Sequence, residues 1–187
     1  MKHVIRAIGA IFFGLVFLFL VMTGIGTSMP IDHDATCTGV YHQNAERIFD
    51  AIANDGASIA WRTDLRSITS ASGSGSIAVW RETNGQGQTV DYQTVVSVRP
   101  SLLIRQIVPD PGLQFGGVWT YRVGPYYAGA ISEGNSLQLS EHGQIYNPFF
   151  RFMARFVFGY ESTMRTYLGQ LGTFYHEKPQ IWCGENP

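Results

Sequence analysis

Cysteine is scarce in this chain of 187 residues: Cys37 and Cys183 are the only two, and they form neither a CxxC pair nor a Cys/His cluster. That spacing disfavours a structural zinc site. The five histidines, His3, His33, His42, His142 and His176, fall in no HExxH or HxH pattern, so no metal site is expected. Asp32-His33-Asp34 looks metal-like, but three adjacent residues cannot converge on one ion in an extended chain, and the triplet reads as solvated linker. There is no GxSxG, no GxxxxGKS/T phosphate loop and no GxGxxG after a strand, so catalytic residues stay unassigned and no cofactor is expected. The formal net charge is −1 and no run of like charge exceeds two residues, which argues against nucleic acid as a partner.

What is abundant is apolar surface at the start. Lys2 and Arg6 precede an apolar run over residues 7–22, and the next charge is Asp32. A helix over 7–26 would be about 30 Å long, enough to cross a hydrocarbon core. Residues 1–26 therefore read as a membrane anchor or signal segment, with Lys2 and Arg6 on the cytoplasmic side and the remainder exported. Gly24-Ile25-Gly26 suits a signal peptidase, whereas the run exceeds a typical signal core. A retained anchor and a chain secreted after cleavage near Gly26 both remain open.

Behind it lie a linker (27–35), about 140 residues of domain (36–175), a natural single-domain size, and a tail (176–187). A first strand is expected over 35–42. Asn44 caps a helix carrying Ile48, Phe49 and Ile52 at helical spacing, Asp55-Gly56 breaks it, and a short second helix reaches Trp61. Strands follow at 64–69, 77–83, 89–98, 102–108, 118–123 and 136–141. Their turns are the Ser/Gly run at 70–76, Asn84-Gly85-Gln86-Gly87, Pro109-Asp110-Pro111-Gly112 and Ser132-Glu133-Gly134-Asn135. Asn147 and Pro148 then open one long helix to about residue 171, with Phe149, Phe152, Met153, Phe156, Tyr160, Met164, Tyr167, Leu168 and Leu171 on one face. The order predicts an α+β fold: a curved antiparallel sheet wrapped around a long C-terminal helix, with a cavity where they diverge. In an oxidising compartment a Cys37–Cys183 disulfide is permitted, and two free thiols are the alternative.

Several short motifs follow one another along the chain: Ile48-Phe49 with Ile52, Trp61-Arg62, Trp80-Arg81-Glu82, the Gly116-Gly117-Val118-Trp119-Thr120-Tyr121 stretch, Glu141-His142-Gly143, and Asn147-Pro148-Phe149-Phe150-Arg151-Phe152. In this order they resemble the START-like (SRPBCC) superfamily, especially its bacterial polyketide cyclase/dehydrase and lipid-transport group. The resemblance spans residues 36–172 and implies a helix-grip fold with an apolar pocket. It implies no reaction, since that scaffold serves carriers and enzymes alike. The membrane segment, the tail with Cys183 and a long 124–135 connection depart from the pattern.

Cavity candidates are Trp61 at the end of the second helix, and Trp80, Glu82, Trp119, Tyr121 and Glu141 from the strands. Phe149, Phe152, Met153 and Phe156 join them from the last helix. A buried carboxylate facing an arginine such as Arg151 could orient a ligand head or act as acid/base, and a structural ion pair is the plainer reading. The surplus aromatics Phe150 and Phe158 face core, cavity mouth, a partner or a membrane surface. The expected function is a membrane-tethered exported module binding a lipid or other hydrophobic small molecule. A cyclase/dehydrase-type enzyme using Glu82, Glu141 or Arg151 is one alternative, and an envelope interaction protein without ligand is the other.

Overall fold

The computed structural model describes residues 2–71 and 78–184. The Ser/Gly run expected as a turn falls largely in 72–77, and the last three tail residues are 185–187; both lie outside the described residues.

Helix α1 (Lys2–Thr27) carries no polar stripe, and its stretch Arg6–Thr27 is apolar and long enough to cross a membrane. After it the chain enters β1 (Asp32–Tyr41), then α2 (Ala45–Ala53), α3 (Asp55–Ser58), β2 (Leu65–Ala71), β3 (Val79–Asn84), β4 (Thr89–Val98) and β5 (Leu102–Ile107). The long strands β6 (Phe115–Ala128) and β7 (Ile131–Ile145) follow, then α4 (Pro148–Met153), a π-helical turn (Ala154–Phe158), α5 (Ser162–Phe174) and β8 (Gln180–Cys183). The strands form one antiparallel sheet in the order β2-β3-β4-β5-β6-β7-β1-β8.

Four differences from the sequence expectation matter for the site. The linker is shorter, because β1 begins at Asp32 and pairs with β7 from Asp32↔Gln144 onward, which puts His33 in the sheet. Residues 124–135 are no loose connection: β6 and β7 stay paired to Ala128↔Ile131, and Ser132 to Asn135 lie in β7. Gly129, at φ 65°, supplies the tight turn there, a conformation glycine adopts without steric cost. The tail forms β8, in register Cys37↔Cys183 with β1, and the two cysteines are joined in a disulfide. Finally, Asp55 starts α3 rather than breaking α2, with Asn54 accepting from Ala57 N as its N-cap.

The C-terminal helix is not one straight rod. Asn147 caps α4 through Phe149 N and Phe150 N. The π turn then loosens the helix, and Gly159 at φ 76° redirects the chain into α5. The two halves bury against different partners. In α4, Phe149 packs on Phe19 of α1 with ring centroids 4.9 Å apart. In α5, Met164, Leu168 and Leu171 are fully buried against Cys37, Tyr41, Leu137 and Leu139 of the sheet and Ile48 and Ile52 of α2. Each such aliphatic side chain contributes about 1.5–3 kcal/mol. Tyr41 Oη donates to Leu168 O at 2.8 Å, fixing α5 over β1. A straight helix could not reach both α1 and this core, so the predicted single amphipathic face divides at Phe156, which is 63% exposed.

Candidate functional site

Because α5 covers only part of the sheet, a cavity of about 920 Å³ remains between the inner face of β3–β7 and the α4–α5 segment. Its floor is polar. On β5, Leu103, Arg105 and Ile107 share one face by strand alternation, and Arg105 is a charge on an otherwise apolar stripe. Arg105 Nη2 pairs with Asp55, whose Oδ1 also accepts from Tyr92 Oη at 2.8 Å. The guanidinium stacks 5.1 Å from the Tyr92 ring and 5.8 Å from the Tyr121 ring, and its buried Nε has no partner among the described residues. Burial opposes the charge of Arg105, and its neighbours Tyr121 and Asp55 outweigh that, so it stays protonated. Burial likewise pushes the phenols of Tyr92, Tyr121 and Tyr167 up. At neutral pH these phenols and Arg105 are hydrogen-bond donors.

Beside them Arg62 binds two carboxylates: Nη2 to Asp64 Oδ2 at 2.6 Å and Nη1 to Glu82 Oε1 at 3.0 Å. Its guanidinium also sits 5.2 Å from the Tyr167 ring. Burial opposes the charge of Asp64, yet the hydrogen bond and charge of Arg62 hold its carboxyl below the usual 3.8. A depressed acid stabilises the fold above its unfolded value, and that contribution is lost as pH falls through the folded value. Asp64 should therefore remain ionised at pH 3.8, half-protonating only below it. A carbon-13 titration of its carboxyl, compared with the same titration in Arg62→Met, checks this; an ordinary value in both would refute the pairing.

A second polar group lines the same cavity. Trp119 Nε1 donates to Glu141 Oε1 at 3.1 Å, and His33 Nε2 is 3.9 Å from Glu141 Oε2. His33 stacks on Tyr160 at 4.2 Å, and its buried Nδ1 has no partner among the described residues. Gly143, opposite His33 in register, makes room for the ring: a Cβ there would lie 2.4 Å from His33 Cε1. The rim is apolar, formed by Phe115, Phe150, Met153, Ala154 and Phe158. Among the described residues no group of three or more His, Cys, Asp or Glu is placed to hold a metal ion.

No protein-family model matches the chain, and no curated protein matches it. Solved structures do. The di-domain ARO/CYC StfQ from the steffimycin biosynthetic pathway superposes with a TM-score of 0.54 at 12% identity, over 75% of this chain and 48% of its own. Norcoclaurine synthase from Thalictrum flavum superposes with 0.53 at 11% identity, over 82% and 91%. A protein from Cytophaga hutchinsonii superposes with 0.53 at 17% identity, over 79% and 97%. The chain has the helix-grip fold. At these identities the likeness establishes the fold and no activity. The chain spans about half the length of the di-domain ARO/CYC proteins it matches, 57% of BexL and 48% of StfQ.

Within the helix-grip cavity the structure brings together Glu82, Trp119, Tyr121, Glu141 and Met153 of the expected candidates. The other five lie elsewhere. Trp61 is core, edge-on to Tyr167 at 4.9 Å. Trp80 shares a strand face with Glu82, and lies across from Ser70 and Tyr92, but is not part of the cavity lining. Phe149 belongs to the α1 contact, while Phe152 and Phe156 pair with each other at 4.9 Å outside the cavity wall. Arg151 is no cavity group either: it is buried and donates to Met29 O at 2.7 Å and Tyr146 O at 3.4 Å, which joins α4 to the end of α1. The sequence reading missed His33, Arg62, Asp64, Tyr92 and Arg105 as cavity residues. A signal existed for two of them. His33, Ala35 and Cys37 continue the inward alternation of β1, and Arg105 interrupts an apolar strand face.

Proposed function

We propose that the chain is a membrane-tethered binding module for a lipid or another hydrophobic small molecule bearing an oxygen-rich polar end. The observation that carries this is the cavity's polarity gradient. Its rim of Phe115, Phe150, Met153 and Phe158 suits an apolar body, while its floor presents the Arg105 guanidinium and the protonated phenols of Tyr121 and Tyr167 to an acceptor oxygen. The tether is α1, whose apolar stretch suits a bilayer. Lys2 and Arg6 at the start of that helix favour export of the domain, and the Cys37–Cys183 bond is of the kind that persists in oxidising compartments.

Acid/base catalysis has weaker support. A cavity carboxylate acting as general base must be free to take a proton, whereas Asp64 and Glu82 are held by Arg62, and Glu141 accepts from Trp119.

The neutral probe N-phenyl-1-naphthylamine should brighten on binding the full chain in detergent solution. Ala154→Trp, which fills the rim, should weaken that binding roughly tenfold or more, equivalent to about 1.4 kcal/mol. Equal affinity in the two proteins would refute the cavity as the binding site.

A further inference from the structure

The contact between α1 and α4 fixes where the cavity mouth sits, if α1 spans a bilayer as proposed above. The stretch Arg6–Thr27 has 22 residues, about 33 Å of helix against a hydrocarbon core of about 30 Å. Its domain-side end, Thr27, therefore marks the near edge of that core. Phe19 lies about two turns before Thr27, about 12 Å along the helix axis, and it is the residue on which Phe149 packs. At the upper end Gly26 is pressed against α4, since a Cβ there would lie 1.9 Å from Pro148 O. Arg151 closes the corner on Met29 O.

A segment held against Phe19 cannot stand above the membrane that contains Phe19. The side chains that follow fit that depth. Phe150, Phe156, Val157 and Phe158 are 47, 63, 55 and 64% exposed, four apolar side chains on one short segment whose exposure would be costly in water. Arg155 among them is exposed and long enough to bring its head to the phosphate layer while its stem lies in the apolar zone. Phe150 and Phe158 are also cavity rim residues. The opposite end of the sheet, at the β6–β7 tip, lies fifteen β7 residues away, about 50 Å of extended strand.

We propose that residues 149–158 are immersed in the bilayer leaflet nearest the domain and that the cavity opens there into the acyl region. Ligand then enters sideways from the leaflet without crossing water. This rests on α1 spanning the bilayer, and it narrows the ligand class to membrane-dissolved amphiphiles whose polar end enters first, toward Arg105.

The test uses the full chain reconstituted in phosphatidylcholine vesicles, with and without lipid brominated on its acyl chains. Tryptophan is introduced by Phe158→Trp, by Phe156→Trp as an independent second site, and by Ile131→Trp at the tip as a control. The expected result is blue-shifted added emission from the first two variants, largely lost in brominated lipid, with the control emission unchanged. Alkaline extraction of the same vesicles separates the two claims. Protein that stays in the membrane while neither Phe158→Trp nor Phe156→Trp is quenched overturns the immersion and leaves the tether standing. Protein that is stripped off overturns the tether and the immersion with it.

Discussion

Asp55→Ala should destabilise the domain by about 3–5 kcal/mol, the range for removing one partner of a buried ion pair. Three losses coincide at this carboxylate. Arg105, 6% exposed, keeps its charge but loses the oxygen that Nη2 meets, and its Nε already lacks a partner. Tyr92 Oη loses its acceptor at 2.8 Å. The N-terminal turn of α3, which Asn54 caps, loses the acidic residue that complements its dipole, a smaller effect. Urea denaturation followed by circular dichroism measures the change. The double variant Asp55→Ala with Arg105→Met should recover much of the loss, because it removes the stranded charge as well. A double variant as unstable as the single one would show that Asp55 acts through Tyr92 and α3 rather than through Arg105. The single variant should also bind the hydrophobic probe differently, since Arg105 is freed to move into the cavity.

The disulfide should have the largest single effect. Cys37 and Cys183 are 146 residues apart in sequence, and closing a loop of that length removes about 5 kcal/mol of chain entropy from the unfolded state in the entropic account. Cys183→Ser, or reduction of the parent, should lower the urea midpoint accordingly and loosen β8 from β1. Besides the bond, four residues of that strand pair with β1, Gly184 N donates to Thr36 O at 3.0 Å, Ile181 packs on the core and Trp182 lies 5.6 Å from the Tyr126 ring. Hydrogen exchange in the reduced protein should therefore quicken first at residues 180–184. Equal urea midpoints with and without reductant would contradict the bond's role.

Local chemistry carried much of the fold. Asn84-Gly85-Gln86-Gly87 specifies its turn through Asn84 Oδ1, which accepts from Gln86 N and Gln88 N, interactions that need no distant partner. The cap at Asn44 and the stripe Ile48, Phe49, Ile52 are legible for the same reason. Long-range pairing was not. Asp32-His33-Asp34 has the polarity of a linker, and only its partner strand, with glycine at position 143, makes room for His33. Gly124 and Pro125 look like a turn, but both stay in β6 opposite Ser136 and Asn135. The aromatic stripe from Phe149 to Leu171 has an unbroken helical period, and nothing in that period reveals that α1 claims its first half and the sheet its second. The cavity's polar floor was hidden for a related reason. Arg62, Asp64, Tyr92 and Arg105 come from separate elements, and charged residues at such positions read singly as surface.

The central claim is that the space between the sheet and the α4–α5 segment holds a hydrophobic molecule. Native mass spectrometry of the full chain, released from mild detergent after purification from membranes, tests it most directly. The account predicts a population heavier than the polypeptide by one amphiphilic molecule, and a smaller such population in Ala154→Trp. Bare polypeptide mass in the parent, with no uptake when phospholipid or fatty acid is added, would contradict it.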